Sequence, residues 1–335
     1  MNNKQTAAIT AVGAYVPDNI LSNNDLELMV ETTDAWIRSR TGISERRILS
    51  EENQGTSYMA IRAAEDLLRR GNINPKDIDC VLVCTTTPDM SVAATAAYVA
   101  TKIGATNAFG YDLQAACSGF LYGMSTAAAY VASGRYKKVL LIGADKMSSI
   151  VNYEDRTTCI IFGDGAGAVL FEPNQEGLGL QDEYFRVDGT GREHLRIEAG
   201  GSMLPASAET IAAKQHYIKQ EGKTVFKFAV SNMAEAAEQI MKRNHLSHED
   251  IQYLVPHQAN KRIIDATASR MGVSDEKVLT NIEHYGNTTA ATLPLLLSDF
   301  EHLFKKGDNL IFAAFGGGFT WGATWLKWAY QSSKH

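Results

Sequence analysis

KDIDCVLVC, residues 76–84, and EDIQYLVPH, residues 249–257, are the stretches whose comparison decides the fold. Asp77 aligns with Asp250, an offset of 173 residues. Each stretch follows an amphipathic helix pattern, YMAIRAAEDLLRRG in the first case and FAVSNMAEAAEQIMKRN in the second. Farther along, SGRYKKVLLIG (133–143) matches KGDNLIFAAFG (306–316) at the same offset, Gly134 falling on Gly307 and Gly143 on Gly316. A constant offset across separate matches signals a duplicated unit. The segments VLVC, VLLIGA and LIFAAF are unbroken apolar runs, as expected of strands covered by helices on both faces. An α/β fold of two similar layered halves follows, with residues 1–173 forming one half and 174–335 the other. The stretch 174–224 is richer in Gly, Glu, Gln and Lys. It is expected to hold loops and strand extensions rather than another copy of the repeat.

The chain has 335 residues, 45% hydrophobic and 21% charged with both signs mixed, which suits a large globular core. Its net charge of -6 argues against non-specific nucleic-acid binding. No apolar run approaches the ~20 residues of a membrane helix. The opening MNNKQTAAITAVGAYVPD has no long apolar signal region. A cytoplasmic protein with neither a nucleic-acid nor a membrane partner is expected. The four cysteines are Cys80, Cys84, Cys117 and Cys159, and no histidine stands near enough in sequence to complete a zinc pattern. No metal site is therefore expected. Cys80 and Cys84 alternate onto one face of the CVLVC run and are expected in the core.

Cys117 is different. It lies in DLQAACSGFLYGMSTAAAYVASG, where Phe120, Leu121, Met124, Ala127, Ala128 and Val131 have helical spacing. That places Cys117 at or near a helix N-terminus, where the dipole and free N–H groups favour a thiolate. A buried cysteine in a glycine-flanked turn is the ordinary alternative. His257 lies in LVPHQANKRIID, with a strand predicted to end at Val255, a break at Pro256 and a helix beginning near Ala259. A strand-end loop of this kind is a usual place for a reactive side chain. Asn287 lies in HYGNTTAATLP, after a glycine that permits an unusual backbone angle and before a helix start. A simple helix cap is its ordinary alternative. The repeat aligns Cys84 with His257 and puts Cys117 near the equivalent of the GNTTAA helix start. Pseudo-twofold packing would then bring Cys117, His257 and Asn287 to the junction. FGGGFTWG (315–322) follows a buried strand, and its N–H groups could face a developing oxyanion. FGDGAGAV (162–169) lacks the Lys-Ser/Thr pair of a phosphate loop and is expected to be a glycine-rich structural turn.

VGAYVPD, TTDAWIRSRTGISERR, AACSGF, DRTTCIIFGDGAGAV, VFKFAV, VPHQAN, YGNTTAA and FGGGFTWG occur in this order along nearly the whole chain. Together they resemble the β-ketoacyl-acyl-carrier-protein synthase III family, the initiating condensing enzymes of the thiolase-like superfamily. The resemblance implies a thiolase-like fold with five layers, α-β-α-β-α. It implies that an acyl-CoA primer acylates a cysteine, and that malonyl-acyl carrier protein then loses CO2 and condenses with it to begin fatty acid synthesis. Cys117, His257 and Asn287 match the catalytic triad, and the N–H groups of Cys117 and Gly317 match the oxyanion hole. Trp36, Arg40 and Arg156 match coenzyme A contacts. Lys223, Lys227, Lys261 and Arg262 match or adjoin positions that dock the acidic carrier protein. The family implies a homodimer and no cofactor, acyl-CoA being a substrate. The alternatives are a related condensing enzyme of secondary metabolism and a non-catalytic partner subunit of the same fold.

Overall fold

The computed structural model describes residues 5–331, so residues 1–4 and 332–335 of the two expected halves lie outside the described residues. The first half carries strands β1 (Thr6–Tyr15), β2 (Ile20–Ser22), β3 (Glu45–Arg47), β4 (Cys80–Cys84), β5 (Phe109–Leu113), β6 (Val139–Lys146) and β7 (Asp164–Asn174). Its helices are α1 (Asn23–Glu27), α2 (Asp34–Thr41), α3 (Thr56–Gly71), α4 (Thr95–Lys102) and α5 (Gly119–Ala132). Strands β8 (Gly179–Val187), β9 (Leu195–Ile197), β10 (Ile218–Gln220), β11 (Tyr253–Pro256), β12 (Asn309–Gly316) and β13 (Thr320–Lys327) follow. They alternate with α6 (Ala208–Ala212), α7 (Gly222–Arg243), α8 (Lys261–Met271), α9 (Ile282–Tyr285) and α10 (Thr292–Phe300).

Of the two larger sheets, one has the order β1-β7-β6-β4-β5 and the other β8-β13-β12-β11, while β2 pairs with β3 and β9 with β10 in two-stranded sheets. In the first, β4 runs parallel to β5 and β6, while β7 is antiparallel to β6 and β1. The second repeats the pattern: β11 is parallel to β12, and β13 is antiparallel to β12 and β8. Beyond β11, the fifth position is represented by an isolated bridge between Leu254 and Val278. Strand β8 begins at Gly179, which is 173 residues after Thr6 at the start of β1. The stretch 174–224 therefore contains the opening strand of the second copy, contrary to the expectation from sequence. Its polar composition hid it, because residues Leu180–Phe185 are only half-buried.

Alternation within the strands assigns the layers. Leu82 and Leu141 face one core with Phe120 and Leu121 of α5, Leu293 and Leu296 of α10, and Phe312 of β12. Val81, Val83, Leu140 and Ile142 face the other way, against Met59, Ala63 and Leu67 of α3 and Val99 of α4. Ile311 and Ala313 of β12 turn outward onto Ala236, Ile240 and Ile263 of α7 and α8. The order is thus α3/α4, sheet, α5/α10, sheet, α7/α8: a five-layered thiolase-like fold. Every residue of β4 is buried, Cys80 and Cys84 among them, and all four cysteines are free.

Two local expectations need correction. FGDGAGAV is not a turn, because Asp164 begins the 11-residue strand β7. Its glycines instead admit a neighbour: a Cβ at Gly167 would lie 2.7 Å from Cβ of Pro294, so a side chain there would push α10 off the sheet. Pro256 does not break its strand but pairs with Ala313. An edge strand tolerates a residue that lacks an N–H. The next helix begins at Lys261, capped by the Asn260 side chain accepting from the Arg262 N–H.

Candidate active site

The nucleophile candidate is presented by a kink. After β5 ends at Leu113, a 3₁₀ turn over Ala116–Ser118 leads into α5. Ala116 has φ of 49°, the left-handed region that an L side chain rarely adopts. The second half clamps this turn. The Ser118 hydroxyl donates to the Thr320 carbonyl at 3.1 Å, and the Thr320 hydroxyl donates to the Ala115 carbonyl at 3.0 Å. Strand β12 closes in at Gly316, where an added Cβ would meet the Cys117 nitrogen at 2.7 Å. Cys117 is buried, with 6% of its surface exposed. Burial, and secondarily the Asp145 carboxylate, push its thiol up to about 12, against a lowering by its own backbone N–H. Burial thus opposes the thiolate that the helix end favours, and a sulfur that rests protonated must lose its proton as it attacks.

His257 follows β11, and its N–H donates to the Ala313 carbonyl at 2.8 Å. Its Nδ1 lies 2.8 Å from the Thr292 hydroxyl, which itself donates to the Thr289 carbonyl at 3.0 Å. Nε2 is buried and has no hydrogen-bond partner among the described residues. Burial lowers the His257 pKa to about 3, so the ring is neutral at neutral pH.

Asn287 is held on both sides of its peptide. Its N–H donates to the Ile161 carbonyl at 2.9 Å, and its carbonyl accepts from the Gly163 N–H at 3.1 Å. Gly286 before it has φ of 62°, and a Cβ there would lie 2.8 Å from the Ile161 carbonyl oxygen. The Asn287 side-chain oxygen accepts from the Thr289 N–H at 2.8 Å. That bond fixes the flip of the amide and leaves its NH2 as the free end. Thr289 is itself kinked, with φ of 52°. Its hydroxyl and the Ala290 N–H both donate to Oδ2 of Asp145. The other Asp145 oxygen collects the hydroxyls of Thr85, Thr86 and Thr87 and the N–H groups of Thr86 and Thr87. One buried carboxylate of the first half thereby braces the Asn287 loop of the second.

Cys117, His257 and Asn287 line one cavity of about 1410 Å³, together with Gly316, Gly317 and Gly318. Trp36, Arg40, Arg156, Lys223 and Arg262 line it as well. The Arg156 guanidinium sits 5.2 Å from the centre of the Trp36 ring, and its Nη1 donates to the Glu31 carbonyl. The guanidinium lies over the ring, and at 5.2 Å the gap is narrower than the roughly 7 Å that a planar group sandwiched at about 3.5 Å from each face needs, so such a group must part them. Arg262 lies over Phe226 at 4.9 Å. Lys227 and Lys261 are not on the cavity wall: Lys227 is exposed on α7, and the Lys261 ammonium is engaged by Asp265.

Sequence reasoning missed Thr292 and Asp145. It also missed an apolar wall formed by Leu195, Ile197, Met203, Leu204 and Ile218. That wall comes from short strands and loops with no periodicity to read. Among the described residues no cluster of three or more His, Cys, Asp or Glu is placed to hold a metal ion. Nor is any described helix long and apolar enough to cross a membrane. The arrangement supplies a sulfur nucleophile, an imidazole, a carboxamide donor and a turn of backbone N–H groups, which is the equipment of acyl transfer.

Comparison with known proteins points the same way. Residues 111–189 match the family model of 3-oxoacyl-(acyl-carrier-protein) synthase III, and residues 241–328 match the model of its C-terminal part. A beta-ketoacyl-acyl-carrier-protein synthase III from Bacteroides thetaiotaomicron is 56% identical over 331 residues, covering 99% of each chain. The crystal structure of 3-oxoacyl-acyl-carrier-protein synthase III from Aquifex aeolicus superposes with a TM-score of 0.88 at 38% identity, covering 96% of this chain and 100% of that one. The priming β-ketosynthase of the R1128 polyketide pathway gives 0.91 at 30% identity, covering 99% of both.

Proposed function

This chain belongs to the β-ketoacyl-acyl-carrier-protein synthase III family, and on that premise we propose that it starts fatty acid synthesis by joining an acyl-CoA primer to malonyl-acyl carrier protein. It is an acyltransferase of the condensing type. The observation that carries the residue assignment is that Cys117, His257 and Asn287, from two separate halves, line one cavity.

In the first step the Cys117 sulfur attacks the primer thioester. A carbon–sulfur bond forms to the protein, the bond to coenzyme A breaks, and the thiol proton ends on the departing coenzyme. The N–H groups of Cys117 and Gly317 hold the oxyanion. Trp36 and Arg156 part to take the adenine ring between an aromatic face and a guanidinium plane, with Arg40 beside the entrance. In the second step the malonyl group loses CO2, and its electron pair passes through an enolate to the acyl carbon. Asn287, through its free NH2, and His257 donate to the enolate oxygen. The Cys117 sulfur leaves and takes one proton. Removing one donor of this kind costs about 2.7–4 kcal/mol of barrier. Lys223, Lys227, Lys261 and Arg262 form the basic side of the mouth that meets the acidic carrier protein. The working form is a homodimer.

The test is mass spectrometry after exposure to acyl-CoA. The wild-type protein should gain one acyl group on Cys117, and Cys117→Ala should gain none at that position. Addition of malonyl-acyl carrier protein should then discharge the adduct as a β-ketoacyl product. A wild-type protein that never acylates would favour a partner that only binds.

A further inference from the structure

We infer that Thr292 is a positioning residue that keeps the single proton of neutral His257 on Nδ1, so that the proton His257 contributes to condensation is taken up on Nε2 together with the malonyl carboxylate. The inference rests on the condensing reading above and adds the proton's route to it.

The argument starts from what a hydroxyl can do. Thr292 Oγ1 lies 3.0 Å from the Thr289 carbonyl oxygen, which can only accept, so the one hydroxyl proton points there. Towards His257 Nδ1, at 2.8 Å, the same oxygen presents a lone pair. With the hydrogen on Nδ1 both hydroxyl contacts are hydrogen bonds, whereas a hydroxyl turned onto a bare Nδ1 would give up its bond to the Thr289 carbonyl, so the geometry favours Nδ1–H. Thr292 is 1% exposed, so no solvent competes for the arrangement. His257 Nε2, buried and without a hydrogen-bond partner among the described residues, is the nitrogen left for substrate. A neutral ring protonated on Nδ1 has a bare lone pair at Nε2, and a lone pair repels an enolate oxygen. The donor to that oxygen is therefore the doubly protonated ring, with Nδ1–H on Thr292 and Nε2–H on the substrate.

Burial is what makes the second proton unfavourable, holding the ring near a pKa of about 3. A malonyl carboxylate brought into the same cavity opposes that burial, since a nearby negative charge favours the charged imidazole. Cys117 shares the cavity wall with His257, as do the acids Glu193 and Glu198 and the bases Arg40, Arg156, Arg192, Arg196, Lys223 and Arg262, while Asp145 reaches the ring only through Thr289 and Thr292. The balance closes within the reaction. The bond to the carboxyl carbon breaks and CO2 leaves. The freed pair forms the new carbon–carbon bond. The Cys117 sulfur departs with its pair and takes the Nε2 proton. His257 returns to the neutral ring protonated on Nδ1, and Cys117 returns to a thiol.

Nitrogen NMR of the full-length enzyme labelled with ¹⁵N-histidine tests this, with His257 assigned by its disappearance in His257→Gln. The wild-type protein should show a protonated Nδ1 and a bare Nε2, and Thr292→Ser should match it. Thr292→Val, which has no acceptor for Nδ1–H, should move the proton to Nε2. Condensation from the pre-acylated enzyme gives the second readout. The wild-type rate should fall as pH rises and the second proton is lost. Thr292→Val should run roughly tenfold slower and lose that alkaline fall, because its donor no longer depends on an added proton. A wild-type Nε2 that carries the hydrogen overturns the inference even if the valine variant fails to fold. So does a valine variant that folds with the proton still on Nδ1. If Cys117 acylates normally and either result appears, this inference alone fails. If Cys117 never acylates, the condensing reading itself has failed.

Discussion

Asp145 is the residue on which the assembled site leans. It ends the apolar run VLLIGAD, is fully buried, and accepts only from hydroxyl and N–H donors on two separate segments. Asparagine there would turn an NH2 towards groups that can only donate, or that already do. Leaving buried donors unmatched costs about 1–3 kcal/mol, so Asp145→Asn should lower the denaturant midpoint. More tellingly, Thr289 would lose its anchor, and with it the N–H that aims Asn287. A catalytic group displaced by an ångström can lose up to about 100-fold. Condensation in Asp145→Asn should therefore fall far more than acylation of Cys117 does, as separate assays of the two half-reactions will show. The residues that share the cavity wall were legible because glycine or proline punctuates each of their motifs: AACSG, VPH and YGN. Asp145 and Thr292 were not. A threonine opening a helix reads as a cap, and only the fold reveals that its hydroxyl reaches a ring 35 residues away.

Among the elements, the β12–β13 hairpin matters most to the chemistry, since it brings FGGGFTWG against the Cys117 turn. Gly316 is the point of closest approach, 2.7 Å from the Cys117 nitrogen and 3.0 Å from the Ser118 nitrogen for any added Cβ. Gly316→Ala should force the hairpin and the turn apart. Overpacking of this kind costs about 1–3 kcal/mol, and acylation of Cys117 should slow even in the protein that remains folded. Thermal melting and single-turnover acylation together check both halves of that expectation. The hairpin was recognisable as a site for close backbone approach because three glycines follow a buried strand. The FGDGAGAV segment carries the same glycine signal and misled, since Gly165 and Gly167 clear room for α10 from inside a strand. Strand β8 misled in the opposite sense: lying at the end of its sheet order, it keeps half-polar residues that mimic a loop.

At the scale of the whole molecule, the 173-residue repeat made the architecture readable, because each half repeats the strand order around a shared central pair of helices. What no repeat could reveal is the cavity's outer wall, built from the region where the halves diverge. The cavity wall includes Arg40, Lys223 and Arg262 on a chain of net charge -6, with Lys227 exposed on α7. Lys227 is off the wall, so it separates docking from primer binding. Lys227→Glu should raise the KM for malonyl-acyl carrier protein by about threefold or more, most at low salt, while acylation from acyl-CoA stays nearly unchanged. Equal loss in both assays would place Lys227 outside the docking surface. The repeat also reaches down to single torsion angles. Ala116 and Thr289 sit 173 residues apart, and both are bent into the same left-handed twist. Such a bend is uncomfortable by about 1–2 kcal/mol in any residue but glycine. An engineer hunting for heat tolerance would find glycine attractive at either spot. The hardiness gained would come out of the aim of the sulfur on one side and of the carboxamide on the other, so these two uneasy joints mark where robustness and turnover pull against each other.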